Sequence, residues 1–325
     1  MKSDQPKISV IICCYTMDRW PDICAAIASV RQQTLRAVEI ILVVDHNPEL
    51  LSRATVELPD VMVVANREGR GLSGGRNTGI AAASGSLLAF LDDDAVADPH
   101  WLSLLAKRCE EPDVLGATSS IYPLWVGARP GWFPEEFLWI VGCTYRGLPS
   151  VVAEVRNVLG GAMMLKREVF NQAGTFNHIL GRSYGPGATL VSCDDTEMCI
   201  RAKATFPTGR FVFDPAPMIG HKVPASRLNW RYLRVRCFAE GRSKAYLKNL
   251  TRARGALTTE RDYVLRTLTI GFLHGLSDGV TRLQPDGVKR SAAIVLGLTS
   301  AAIGFLIGKL DDRLPNRGPS ARGAL

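Results

Sequence analysis

Apolar runs of β-branched and aliphatic residues recur through the first half of the chain, separated by polar stretches rich in glycine. Residues 8–14 (ISVIICC), 38–44 (VEIILVV), 61–65 and 87–91 are each short, almost continuously hydrophobic and bounded by turn formers. That is the pattern of strands buried on both faces of a parallel sheet. Between them the period changes. Residues 21–33 set Ile23, Ala26, Ile27 and Val30 at helical spacing, and the glycine-rich stretch 69–79 (GRGLSGGRNTG) leads into a small-residue helix over 77–83. Asp98 and Pro99 predict the cap and first turn of a further helix that runs to about Cys109. The alternation predicts an α/β fold of the nucleotide-binding type, with a mostly parallel central sheet and right-handed crossovers.

Farther along the pattern loosens. Residues 114–121 read as a strand, and 122–149 form an irregular segment carrying Trp125, Trp132, Phe133, Phe137, Trp139 and Tyr145. A segment of that length either lines a site or plugs the core. A strand over 160–165, a helix from Arg167, a glycine-rich loop over 181–187, a helix over 196–204 and a strand over 211–213 complete an α/β unit of residues 1–220, divided near residue 110. Residues 227–250 predict a basic helix with Arg227, Arg231 and Arg234 on one face. Residues 263–276 are apolar but interrupted by Arg266 and His274, whereas 292–308 hold seventeen residues without a charge. That length is at the lower edge of a bilayer span. A packed helical hairpin, an interfacial anchor and a hairpin dipping into the membrane all fit 256–310, and membrane association is the preferred reading. Residues 311–325 are expected to be disordered.

Composition sharpens this picture in three ways. With 325 residues and 46% apolar side chains, the chain can bury a full core. Its net charge of +8 is uneven, because ten Lys or Arg residues and one acid, Glu240, fall between Lys222 and Arg254. Such a strip calls for an anionic partner. No zinc-finger spacing or RNA-binding aromatic signature accompanies it, so nucleic acid is set aside in favour of an anionic membrane surface or a phosphorylated substrate. The eight cysteines have no CxxC pairing and predict core thiols in a reducing compartment. The polar start MKSDQPK runs straight into a strand and predicts no signal peptide.

Two acidic groups carry the candidate chemistry. Asp92, Asp93 and Asp94 follow the strand over 87–91, where an open α/β sheet presents its ligands. Carboxylates so crowded repel one another unless a cation intervenes, and a hard divalent ion holding a diphosphate suits them; a solvated acidic turn fits equally well on these residues alone. About a hundred residues on, Asp194 and Asp195 open a helix, and taken alone they read as acids at a helix N-terminus.

The order of these features resembles the family 2 glycosyltransferases of the GT-A fold over roughly residues 7–248. It rests on ISVIICCYTMDRW, EIILVVDHN, NREGRGLSGGRNTGIAAASGSLLAFLDDDA, GGAMMLKREVF and CDDTEMCIR. Two departures stand out: Cys13, Cys14, Tyr15 and Thr16 replace the common Pro-Thr-Tyr-Asn, and Met163 takes a place often held by a polar residue. The resemblance implies a metal-dependent inverting glycosyltransferase using Mg²⁺ or Mn²⁺, with a nucleotide-diphosphate sugar as donor, a UDP-sugar being expected. It places Tyr15, Asp45, Arg76, Asn77, Asp92, Asp93 and His221 at the donor, with Asp45 on the nucleoside and Arg76 on the diphosphate. Asp94 and Asp92 are the implied metal ligands. Asp195 is the implied general base and Asp194 its neighbour, with Arg201 a structural partner to one of them. Residues 132–149 resemble the corresponding stretch of members that extend polyprenyl- or dolichyl-linked sugars, glucuronosyltransferases among them. The acceptor expected is therefore a lipid-linked or cell-surface glycan, met at the cytoplasmic face of the membrane. A polyprenyl-phosphate sugar synthase, a soluble glycosyltransferase and a non-catalytic nucleotide-sugar binder stay open as alternatives.

Overall fold

The computed structural model describes residues 6–182, 191–251 and 258–310. The tail expected to be disordered, most of the loop expected over 181–187 and the first five residues lie outside the described residues.

The strands of the first half follow the apolar runs closely. β1 (Ile8–Cys14), β2 (Glu39–Val44), β3 (Met62–Ala65) and β4 (Leu87–Asp92) are mutually parallel in the order β3-β2-β1-β4. Ile8, Val10 and Ile12 on one face of β1 and Ile11 on the other are all fully buried, which accounts for the lack of alternation in the sequence. Each such side chain contributes about 1.5–3 kcal/mol. The crossovers carry helices α1 (Trp20–Arg31), α2 (Pro48–Glu57) and α3 (Leu72–Ala82). α3 begins five residues earlier than the pattern predicts, because its first turn contains Gly74 and Gly75, which pack too tightly for side chains to mark a periodicity.

The second half turns the sheet. β4 is followed at once by the short β5 (Ala95–Ala97), then α4 (Trp101–Cys109), β6 (Val114–Val126), β7 (Ala153–Val155), β8 (Ala162–Lys166), α5 (Arg167–Ala173), α6 (Asp194–Thr205) and β9 (Arg210–Pro224). β8 inserts antiparallel between β4 and β6, β9 runs parallel to β6, and the full order is β3-β2-β1-β4-β8-β6-β9-β5, with β7 paired to β9. Two expectations need correcting. α4 starts at Trp101 rather than at Pro99, since Asp98 uses its carboxylate on the His100 N–H and its carbonyl on the Trp101 N–H to close a turn first. β6 and β9 extend well past their predicted ends because they pair with each other through Pro123 and Gly220, while β9 absorbs residues 215–217 as a bulge opposite the step from Ser119 to Ser120.

The C-terminal helices are α7 (Trp230–Thr251), α8 (Thr258–Asp262), a π-helical turn (Tyr263–Leu268), α9 (Thr269–Thr281) and α10 (Pro285–Leu310). Arg227 precedes α7 in a 3₁₀ turn, so it does not share a helix face with Arg231 and Arg234. α9 and α10 form a hairpin, and α10 lies along α7. Small residues set that contact: a Cβ on Gly304 would collide with the Phe238 carbonyl, and one on Gly241 with the Ala301 carbonyl. Gly304→Ala is therefore expected to destabilise the protein by about 1–3 kcal/mol through overpacking, read as a lower denaturation midpoint. A midpoint unchanged by the extra methyl would mean that the α7–α10 seam is loose.

Candidate active site

The carboxyl ends of β1, β2 and β4 open onto one cavity of about 570 Å³, and the acids of both groups, Asp92, Asp93 and Asp94 with Asp194 and Asp195, line it. The antiparallel β5–β9 pairing supplies the next part. It sets His221 opposite Ala95, so that the imidazole Nε2 stands 3.1 Å from Asp94 Oδ1. Asp92, Asp94 and His221 each offer one ligand atom, all within 4.8 Å of one another. Two carboxylate oxygens and an imidazole suit a divalent cation of the Mn²⁺ or Mg²⁺ type, Mn²⁺ accepting the nitrogen more readily. Burial opposes charge on Asp94, but the His221 hydrogen bond and charge, with Arg19 and Arg227, hold its carboxyl below the usual range. Gly161 keeps this corner open, since a Cβ there would strike the Asp92 carboxylate. That requirement accounts for the second glycine of GGAMM.

Asp45 follows directly on β2 with its carboxylate already oriented. Oδ1 accepts from Asn66 Nδ2 at 2.7 Å and lies 2.8 Å from His46 Nδ1, while Oδ2 accepts from the Gly71 N–H at 2.9 Å. Tyr15 lines the cleft beside it, with the Arg19 guanidinium 5.4 Å from its ring. Arg19 donates to Asp93 Oδ1 at 2.6 Å and approaches Asp94 Oδ2 at 3.2 Å.

The base end is built on Arg76. Its Nη1 donates to Asp194 Oδ2 at 2.7 Å and its Nη2 to the Gly160 carbonyl at 2.7 Å. Asp194 is thereby committed to a buried ion pair, whereas Asp195 has no cation within salt-bridge distance among the described residues. Asp195 accepts from the Thr196 N–H at 2.6 Å and the Gly160 N–H at 3.2 Å. Burial, and then the charge of Asp194, push its pKa up, as a general base needs, the larger part coming from burial rather than from the neighbouring acid.

Several expected residues sit differently. Arg76 lines the cleft, but in this structure its guanidinium is held by Asp194 and Gly160 rather than free for a diphosphate. Asn77 is buried beneath the cleft, where its amide donates to the Phe176 carbonyl and its oxygen accepts from the Phe176 N–H. Arg201 does not pair with Asp194 or Asp195. It reaches Glu197, one turn before it on α6, and the carbonyls of Ala173 and Thr175, because Glu197 is four residues away whereas Asp194 and Asp195 lie nearly two turns back.

Other lining residues had little sequence signal. Arg19 lies just after β1, where the sequence gives it no role, and Arg227 belongs to the basic strip. Glu240, the lone acid of that strip, was the readable clue to α7: it accepts from Ser192 Oγ at 2.6 Å and from Cys193 Sγ at 3.4 Å, just before the acidic pair. Cys193 adopts φ +77°, a strained position for a non-glycine residue that this grip supports. Arg156, Glu260 and Tyr263 carried no signal. All eight cysteines are free thiols.

Residues 9–174 match the description Glycosyl transferase family 2. The chain is 31% identical over 313 residues to the glucosyl-dolichyl phosphate glucuronosyltransferase of Haloferax volcanii, covering 95% of this chain and 98% of that one. It is 24% identical over 257 residues to the succinoglycan biosynthesis protein ExoM of Rhizobium meliloti, covering 76% and 77%. Among solved structures, the mannosyltransferase PcManGT from Pyrobaculum calidifontis, in complex with GDP-Man and Mn²⁺, superposes with a TM-score of 0.62 at 17% identity over 94% of this chain and 88% of that one. GalNAc-T7 with UDP, GalNAc and Mn²⁺ superposes with a TM-score of 0.52 at 17% identity, covering 81% and 55%. The fold is that of the GT-A glycosyltransferases, and the chain is a glycosyltransferase belonging to glycosyl transferase family 2.

Proposed function

We propose that this protein is a metal-dependent, inverting glycosyltransferase that moves a sugar from a UDP-sugar to a hydroxyl of a lipid-linked glycan at the cytoplasmic face of the membrane. One observation carries the reading: a candidate cation site and a carboxylate of raised proton affinity line the same cavity. Asp92, Asp94 and His221 would hold Mn²⁺ or Mg²⁺, which neutralises the diphosphate as it leaves. Asp45 accepts from a nucleoside N–H or ribose hydroxyl, and Tyr15 flanks it. Asp93 keeps Arg19 in place at the metal end. Asp195 accepts the proton of the acceptor hydroxyl as that oxygen attacks the anomeric carbon from the face opposite the diphosphate, so a single displacement inverts the configuration. Arg76 and Asp194 hold Gly160 and the start of α6 in register for this step, and Asn77 supports the wall from beneath.

The lipid-linked acceptor is supported by the near full-length relative that acts, by its name, on glucosyl-dolichyl phosphate, and by the hairpin. α10 is long and apolar enough to cross a membrane, and 39% of its most apolar window is buried within the protein. Its glycine face is pressed on α7, which also lines the catalytic cavity. Ile270 and Leu273 on α9 and Val295, Ile303, Leu306 and Ile307 on α10 remain exposed. That division fits a hairpin lying in the interface rather than crossing it, with exposed Arg231 and Arg234 toward anionic headgroups. The protein incubated with labelled UDP-sugars and lipid extract should glycosylate a lipid-phosphate-linked sugar, lose transfer on chelation and regain it with Mn²⁺. It should also float with anionic liposomes. Transfer undiminished by chelation would remove the metal, and a product with one sugar on lipid phosphate would make the enzyme a synthase.

A further inference from the structure

The Asp45 carboxylate lines the cavity, and three groups behind it decide what it can accept. A carboxylate has about four lone-pair positions, two on each oxygen. Oδ1 accepts from Asn66 Nδ2 at 2.7 Å and lies 2.8 Å from His46 Nδ1. Because a carboxylate only accepts, the imidazole proton sits on Nδ1, and both positions on Oδ1 are filled. Oδ2 accepts from the Gly71 N–H at 2.9 Å, which leaves it one position.

Each of these donors is itself held in place. Asn66 directly follows β3 and is buried, and its amide oxygen accepts from the Glu68 N–H at 3.0 Å and from Thr78 Oγ1, on α3, at 2.9 Å. The amide nitrogen gives its second hydrogen to the Gly69 carbonyl at 3.2 Å. Turning the amide over would set its oxygen against a carboxylate and its nitrogen against two donors, so the orientation is fixed. His46 adopts φ +52°, which turns its ring back onto the carboxylate of the residue before it. Gly71, the N-cap of α3, has φ +123°, a backbone that glycine adopts without a steric cost.

We propose that Asn66 and His46 are positioning residues that set the choice of donor: by filling Oδ1 they leave Asp45 one acceptor position, and so select a nucleobase that offers a single ring N–H. The inference deepens the transferase reading and rests on it for the identification of the ligand as a nucleotide. Tyr15, which lines the cavity beside Asp45, gives a planar base an aromatic face, and this favours the base over the ribose as the group that Asp45 meets. Uracil presents one ring N–H between two carbonyls. Guanine presents a ring N–H beside an amino group, a pair that suits both oxygens of a carboxylate at once. With Oδ1 occupied, one of guanine's two donors would be left against a filled oxygen, a loss of about tenfold in affinity.

Calorimetric titration of the full chain with UDP and with GDP, Mn²⁺ present in both, reads the selection. The unmodified protein should bind UDP about tenfold more tightly than GDP. Asn66→Ala opens one position on Oδ1, and His46→Ala, at a partly exposed residue whose loss the fold tolerates more easily, opens the other. Each should bring the ratio of the two affinities toward one, whereas a merely structural loss weakens both nucleotides alike. In transfer assays each should raise KM for the UDP-sugar and leave kcat little changed. GDP bound as tightly as UDP by the unmodified protein, or a ratio that either variant leaves unchanged, overturns the selection, and the transferase reading survives it if a UDP-sugar is still turned over. A UDP preference that both variants erase, with no transfer from any UDP-sugar, keeps the selection and removes the proposed transfer. Binding of neither nucleotide removes both.

Discussion

Asp195→Asn is expected to lower transfer by about 10²- to 10⁴-fold, the usual worth of a positioned general base, without lowering the melting temperature. Asp195 is held against its charge by burial and by Asp194, so an uncharged amide of the same shape relieves repulsion, and this offsets the loss of one of the two backbone N–H contacts that its oxygens accept. The same geometry fixes the pH dependence of the unmodified enzyme. A raised pKa means that the proton stays on Asp195 to higher pH than on an ordinary carboxylate. The rate should therefore fall on the acid side through a limb lying above the usual carboxylate range, and that limb should vanish in the variant. Full turnover by Asp195→Asn would place the base elsewhere.

Arg76→Met is expected to cost the fold more than any other single change at the site, about 3–5 kcal/mol. Its guanidinium is buried and is the partner of Asp194, and it also satisfies the Gly160 carbonyl, whose neighbouring N–H holds Asp195. Without it a buried carboxylate stands beside a second acid. The double variant Arg76→Met/Asp194→Leu should recover most of the loss, because the uncompensated charge, not the missing arginine, is what costs. Denaturant midpoints of the two variants decide this. A single variant losing less than about 1 kcal/mol would show that Asp194 does not depend on the pair.

The parallel half was legible because β1, β2 and β4 are buried on both faces, so hydrophobicity alone marks them. The two acidic groups are legible through their order along the chain and the family resemblance it carries, since each alone reads as an acidic turn or a helix N-terminus. What sequence could not show was pairing across distance. His221 reaches Asp94 only because β5 and β9 run antiparallel, and three residues of β5 carry no detectable pattern. Arg76 reads as a phosphate-binding arginine in a glycine-rich loop until α6 is seen to bring Asp194 against it. Trp139, Tyr145 and Tyr263, which also line the cavity, are hidden for a similar reason: they belong to an irregular segment with a 3₁₀ turn and to a π-turn, neither of which has a periodicity to read.

The most direct measurement of the central claim is a crystal structure of the protein with UDP and Mn²⁺. The account predicts Mn²⁺ on Asp94 and Asp92 with His221 in reach, uridine against Asp45, and the diphosphate directed into the cavity that Asp195 lines. Mn²⁺ bound outside that cavity, or UDP seated where Asp195 cannot face its diphosphate, would contradict it.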